Sequence, residues 1–153
     1  MNSIRAKCAA MAIAIPGAVA AVSAPCQAQT VTKTADLVFG KIVRGSSNGT
    51  LSVSTAGART CPAPLTCMGA VSAARFTITG TNNRDVSISV SPSVTLTASG
   101  GATMTATLTN SPTQLRLKNA STNAFTVGGS LTISGTQTAG SYTGTFTVTV
   151  NYL

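Results

Sequence analysis

Few residues in this chain are of the types that carry out acid–base or metal chemistry. The 153 residues include no His, and Asp36 and Asp85 are the whole acidic complement. Without His, the chain cannot build a His-based triad, a His general base or a His metal site. Two carboxylates make at most one pair, which is too few for a carboxylate-rich metal site. A turn, or a local ion pair near Arg84, accounts for Asp85 more simply than catalysis does.

The sequence gives little support for nucleophilic or phosphate chemistry. Gly45-Ser-Ser-Asn-Gly49 fits the letters of a Gly-x-Ser-x-Gly elbow, but the chain has no His to serve as its partner, and we interpret the segment as a turn. No Gly-x-x-x-x-Gly-Lys-Ser/Thr loop or Gly-x-Gly-x-x-Gly fingerprint occurs. A Ser–Lys pair could be built with Lys41 or Lys118, but nothing in the sequence orders one. We therefore predict a protein that is not an enzyme and that holds no cofactor and no metal.

The first 28 residues have the pattern of a secretory signal peptide. Arg5 and Lys7 supply a positively charged start, and residues 8–24 are then mostly apolar. A small-x-small pattern at Cys26-Gln-Ala28 predicts cleavage after Ala28. The exported chain is then residues 29–153, a length that suits one domain with its own core.

Two alternative interpretations of the N-terminal segment have less support from the sequence. A membrane anchor would need about 20 apolar residues to span a bilayer, and the apolar run here is shorter. A lipoprotein would be modified at Cys26, but Pro25 stands where a small residue is needed. We expect no transmembrane segment in the exported chain.

Cys61 and Cys67 are the cysteines that stay in the exported chain, because Cys8 and Cys26 leave with the signal peptide. Export places the pair in an oxidising compartment, which favours a disulfide over two free thiols. A metal pair is the other alternative, but it would need two more soft ligands that the exported chain lacks. We therefore predict a Cys61–Cys67 disulfide that closes a short, proline-bearing loop.

Apolar residues alternate with Thr or Ser through most of residues 29–153. This period of two predicts strands with one face turned to a core, and no window shows an apolar stripe at helical spacing. Clear examples are Val86/Ile88/Val90, Met104/Ala106/Leu108 and Leu131/Ile133. Gly, Asn, Ser and Pro clusters, including Gly128-Gly129, mark turns about ten residues apart. The pattern predicts an all-β fold with almost no helix, an immunoglobulin-like sandwich of eight to nine short strands.

The end of the chain carries the longest alternating segment. The sequence Tyr-Thr-Gly-Thr-Phe-Thr-Val-Thr-Val-Asn-Tyr predicts a single amphipathic strand from Tyr142 to Tyr152. One face of that strand would hold Tyr142, Gly144, Phe146, Val148, Val150 and Tyr152. Thr143, Thr145, Thr147, Thr149 and Asn151 would form the other.

This ending resembles that of the subunits of chaperone–usher pili. Those subunits carry a penultimate Tyr, here Tyr152, and a Gly fourteen residues from the C-terminus, here Gly140. More of the chain is similar to an uncharacterised family of pilin-like secreted bacterial domains, close to spore-coat-U-like proteins and catalogued as a domain of unknown function. The segments that carry this similarity are residues 33–42, 75–80, 125–131 and 140–152.

The resemblance implies an incomplete immunoglobulin-like sandwich that lacks its final strand. A periplasmic chaperone would fill the open groove temporarily by recognising the C-terminal strand, in an assembly that also needs an outer-membrane usher. The N-terminal stretch of another subunit would then replace the chaperone. Here Val31, Ala35 and Leu37 would supply the inward side chains of that donor strand, although Lys33 lies between them. The alternative is that this stretch is the domain's own first strand.

We expect a structural subunit of a bacterial surface fibre or coat that binds other copies of itself or related subunits. It would pass through the periplasm to the cell surface or the medium. The alternative is an adhesin-type module that binds carbohydrate or a host surface and would need a shallow site with aromatic side chains. We do not expect nucleic acid or an anionic membrane as a partner. The formal charge of +8 falls to +6 without Arg5 and Lys7, and the remaining basic residues form no run.

Overall fold

The computed structural model describes residues 29–119 and 123–153, and the predicted signal peptide lies outside them. The described residues form strands joined by turns, and no helix long and apolar enough to span a membrane occurs among them. The strands are β1 (Thr30–Ala35), β2 (Lys41–Val43), β3 (Gly49–Val53), β4 (Arg59–Thr60), β5 (Thr66–Met68), β6 (Ala74–Thr79), β7 (Asp85–Val90), β8 (Ser93–Ala98), β9 (Thr103–Ser111), β10 (Gln114–Arg116), β11 (Ala124–Ile133), β12 (Tyr142–Thr143) and β13 (Val148–Tyr152). The predicted all-β fold is confirmed, but the described residues form thirteen strands rather than the predicted eight to nine.

The strands form three antiparallel sheets that give a sandwich-like arrangement. The large sheet has the order β1-β6-β11-β9-β8-β12, with β3 beside β11 and β4 beside β3. A smaller sheet has the order β10-β7-β13, and β2 and β5 form a separate pair. The small sheet therefore ends on the last strand of the chain.

The long strand β11 changes partners at its two glycines. Its first half pairs with β6 and its second half with β3, while β9 lies along the other side. A Cβ on Gly128 would lie 2.4 Å from the Val53 carbonyl oxygen, so a side chain cannot fit there. The predicted turn at Gly128-Gly129 is wrong because these glycines allow close backbone approach within a strand.

The core lies between the sheets and is built by the period-two pattern. The largest fully buried side chains are Phe125, Leu51, Leu117, Val53, Val86 and Val127. Phe76 of β6 stacks on Phe125 of β11 with ring centroids 5.0 Å apart. Phe146, which precedes β13, meets the Phe76 ring edge-on at 6.1 Å. Burial of each such side chain stabilises the fold by about 1.5–3 kcal/mol, and the Phe146 contact joins the C-terminal segment to the large sheet.

The predicted disulfide is present between Cys61 and Cys67, with Cα atoms 6.2 Å apart. Cys67 lies on β5 opposite Ile42 of β2. Between the two cysteines, Leu65 is buried in the core cluster, and a Cβ on Gly49 would lie 2.5 Å from its Cγ. The disulfide thus closes a loop that supplies a core side chain.

Replacing both Cys61 and Cys67 with Ser should lower the free energy of unfolding by about 2 kcal/mol. The physical reason is that the open loop has more freedom in the unfolded chain. Denaturant unfolding of the purified double variant, compared with the wild type, measures this difference. If the midpoint and slope of the denaturant transition were unchanged, the disulfide would make no contribution to the free energy of unfolding.

Candidate assembly edge

The C-terminal segment is two strands rather than the single predicted strand. Tyr142 and Thr143 form β12 and pair with Ala98 and Thr97 of β8 in the large sheet. Residues 148–152 form β13 and pair with β7 in the small sheet. The prediction of one continuous strand from Tyr142 to Tyr152 is therefore wrong, although its two ends are both strands.

Gly144 and Phe146 explain why the segment changes sheets. A Cβ on Gly144 would lie 2.5 Å from the Thr95 carbonyl oxygen, so the chain passes over β8 where only glycine fits. Two residues later, Phe146 packs against Phe76. The chain thus leaves the large sheet at Gly144 and is fixed on the core at Phe146.

The predicted alternation of side chains persists across this change of sheet. Val148 and Val150 are buried, and Tyr142, Phe146 and Tyr152 are half-buried. The Thr residues between them are exposed, at positions 143, 145, 147 and 149. The face assignment made from the sequence therefore holds, except that Gly144 is exposed.

Tyr142 holds the loop that leads into β12. Its hydroxyl donates to the Thr138 carbonyl at 2.7 Å and accepts from Gln137 Nε2, also at 2.7 Å. Gly140 lies in this loop, where a Cβ would be 3.3 Å from the Cβ of Ala98. Tyr142 and Gly140 therefore help to set the conformation of the loop that leads into β12.

Tyr152 fixes the end of β13 to the turn between β6 and β7. Its hydroxyl accepts a hydrogen bond from the Thr81 backbone N–H at 3.0 Å. The Arg84 guanidinium lies over its ring, 5.7 Å from the centroid. The penultimate Tyr thus has contacts inside its own domain.

Changing Tyr152 to Phe should lower the free energy of unfolding by about 1 kcal/mol, because the ring stays while the hydroxyl acceptor is lost. Denaturant unfolding measures the change. Equal stability of Tyr152→Phe and the wild type would show that the hydrogen bond from Thr81 does not stabilise the fold.

On the side of β13 away from β7, here called its outer edge, every second residue presents its backbone N–H and C=O groups. The Thr147 carbonyl accepts from the Ser91 N–H at 3.0 Å, and the Leu153 N–H donates to the Asp85 carbonyl at 2.9 Å. In an antiparallel pair, the residues between those bonded to one neighbour point their N–H and C=O groups the other way. Val148, Val150 and Tyr152 therefore direct these groups away from β7, and no described strand pairs with them.

Gln29 covers one position of this outer edge. Its side-chain Nε2 donates to the Val150 carbonyl, while its Oε1 is buried and has no partner among the described residues. Gln29 directly precedes β1, so the start of the first strand lies beside the last strand. No sequence pattern pointed to this contact, since it joins residues 121 positions apart.

The N-terminal stretch is the domain's own first strand in this chain. β1 pairs with β6, and Val31 lies opposite Ile78. The register shifts between Lys33 and Ala35, and the exposed Lys33 ammonium lies 2.6 Å from an Asp36 carboxylate oxygen. Val31 and Ala35 are half-buried, as is Leu37, which packs on the core after β1 ends. In the separate chain, this stretch therefore pairs as an intramolecular strand.

The β13 edge lacks the features that normally protect the edge of a sheet. Sheet edges are normally kept from pairing by short length, charge, proline or bulges. β4, β10, β12 and both strands of the β2–β5 pair are two or three residues long. The six-residue β1 carries Lys33 and a bulge. The five residues of β13 include no charge, no proline and no register shift.

The described surface also has two shallow hollows. One, of about 340 Å³, is lined by residues that include Arg75, Ser72 and Thr126. The other, of about 280 Å³, lies along Gly128 and Gly129. Neither has an aromatic side chain in its lining, so neither offers the kind of site that the carbohydrate-binding alternative would need. No group of three or more His, Cys, Asp or Glu lies together in residues 29–119 and 123–153.

Residues 29–152 match the family described as a domain of unknown function, DUF4402. The chain belongs to this family. The match includes all thirteen strands from β1 to β13. No curated protein and no solved structure matches the chain. The DUF4402 domain therefore includes both Gln29 and the edge that it contacts.

Replacing Val148 with Lys should abolish folding or export of the DUF4402 domain. Val148 is 7 % exposed, and a charge there would be buried without a partner. Thr147→Lys is the matched control, because the neighbouring side chain is exposed. The yield of exported folded protein measures both variants. Equal yields of Val148→Lys and Thr147→Lys would contradict the assigned faces of β13.

Proposed function

We propose that this DUF4402 protein is a non-enzymatic structural subunit of a bacterial surface fibre or coat, assembled by β-strand complementation. The observation that carries the proposal is the uncharged outer edge of β13. An edge of this kind pairs readily with a further strand, and natural proteins normally block it. The resemblance of the chain's ending to pilus subunits supports the same conclusion.

The geometry of β13 suits strand addition. Val148, Val150 and Tyr152 present backbone donors and acceptors in a row, which an added strand would bind through main-chain hydrogen bonds. The side chains of Val148 and Val150 are buried in the core, so a strand added at this edge would lie next to the core. Alternating side chains of the added strand would supply the specificity.

The resemblance also suggests the partners and the route. A periplasmic chaperone would cover the β13 edge during export, and an outer-membrane usher would pass the subunit to the cell surface. Other copies, or related subunits, would then replace the chaperone. Tyr152 would serve chaperone capture as well as the intramolecular contact with Thr81.

Replacing Thr149 with Lys should reduce the assembled fraction at least about tenfold, which corresponds to a cost of roughly 1.4 kcal/mol per contact. Thr149 is an exposed residue of β13, so the charge blocks the edge without entering the core. The full chain is expressed in a bacterium and the exported protein is analysed by size-exclusion chromatography and electron microscopy.

Ser89→Lys is the matched control for this experiment. Ser89 is exposed and lies directly opposite Thr149, but on the central strand β7. The control should assemble as the wild type does. A wild-type protein that stays a non-exchanging monomer at all concentrations would overturn the proposed function, as would equal assembly by both Lys variants.

A further inference from the structure

The charges of this chain are unevenly distributed along the sequence. Every Lys, Arg and Asp lies at or before Lys118, and residues 119–153 carry no charged side chain. Copies of a basic protein repel one another through their charged surfaces. Among the described residues, the Arg84 guanidinium is held over the ring of Tyr152 of β13 in its own chain. A contact between two copies along the β13 edge therefore brings together strand residues that carry no charge.

We propose that the strand that pairs with β13 is the β13 of a second copy, antiparallel to the first about a two-fold axis at Val150. This inference rests on the proposed function, in which the β13 edge is the assembly edge. An edge that pairs with its own copy must be self-complementary. β13 meets this condition, because its inward apolar residues and outward polar residues alternate without interruption.

The backbone directions of β13 fix the register of this pair. Residues whose N–H and C=O groups both point outward become the hydrogen-bonded pairs of an antiparallel ladder. Val150 then lies opposite the second copy's Val150, and Val148 lies opposite the second copy's Tyr152. Thr149 falls opposite the second copy's Asn151 in a non-hydrogen-bonded pair, where Cα atoms are about 4.5 Å apart.

Pairing extends the small sheet across the two-fold axis. The strand order becomes β10-β7-β13 followed by the second copy's β13, β7 and β10. A two-fold contact of this kind closes on itself, so the pair is a building block. A fibre or coat then needs a second, different contact between pairs.

Gln29 competes with this pairing at its centre. Its Nε2 donates to the Val150 carbonyl, which is the acceptor at the proposed axis. The second copy's Val150 N–H must replace that amide. The separate chain therefore keeps its edge partly covered, and pairing depends on protein concentration.

Cysteine cross-linking tests the register directly. Full chains carrying Thr149→Cys and full chains carrying Asn151→Cys are exported, purified, mixed and oxidised. Directly opposite Cβ atoms are about 4.5–5.5 Å apart, whereas diagonal neighbours are about 7–8 Å apart. Mixed dimers should therefore exceed the dimers of either variant alone several-fold. A matched pair of variants, Ser87→Cys and Ser89→Cys on the central strand β7, should give no dimer above background.

A measurement on the wild type keeps the inference testable if a cysteine variant misfolds. Amide exchange at Val148 and Val150 should slow as the protein concentration rises. Exchange that is independent of concentration, or Thr149→Cys dimers that form as readily as mixed dimers, would overturn the inference.

The two proposals fail in distinguishable ways. Assemblies that are lost in Thr149→Lys but never give mixed cross-links would refute the two-fold pairing and leave the proposed function standing. Mixed cross-links in a protein that never grows beyond a dimer would refute the fibre or coat and leave the pairing standing.

Discussion

The contact of Phe146 with Phe76 decides the architecture of the C-terminal half. Phe76 stacks on Phe125 in the large sheet, and Phe146 meets the same ring from the segment that leads to β13. This packing holds the last strand over the core after the chain has left β8. Gly144 and this aromatic contact together place β13 on the small sheet, where no described strand pairs with its outer edge.

The sequence predicted the faces of the strands better than their partners. The alternation of Val148, Val150 and their Thr neighbours fixes which side chains face the core, because successive side chains on a strand point to opposite faces. Alternation carries no information on which strand lies alongside. The break at Gly144 and the uninterrupted strand through Gly128 were both missed, since a glycine that marks a turn and one that allows close approach look alike in sequence.

Contacts between residues that are close in sequence could be predicted, whereas contacts between distant residues could not. The Cys61–Cys67 disulfide was predictable because both partners lie within one short loop. The Gln29 contact with Val150 joins the two ends of the described chain, and it depends on how all the strands between them are arranged. Candidate residues on the last strand could thus be named from their pattern, whereas the residue that covers its edge needed the fold.

An assembly edge has to remain unpaired during export and become available afterwards. Charge or a bulge, as on β1, would protect β13 permanently and prevent any pairing. A single side-chain amide is a weaker form of protection, because one hydrogen bond contributes about 0.5–1.5 kcal/mol net. Gln29 covers the Val150 carbonyl in the separate chain, and a strand of the proposed assembly would have to replace this one hydrogen bond with several backbone hydrogen bonds. The buried Oε1 of Gln29 has no partner among the described residues, and burial of an unsatisfied amide oxygen weakens this protection further.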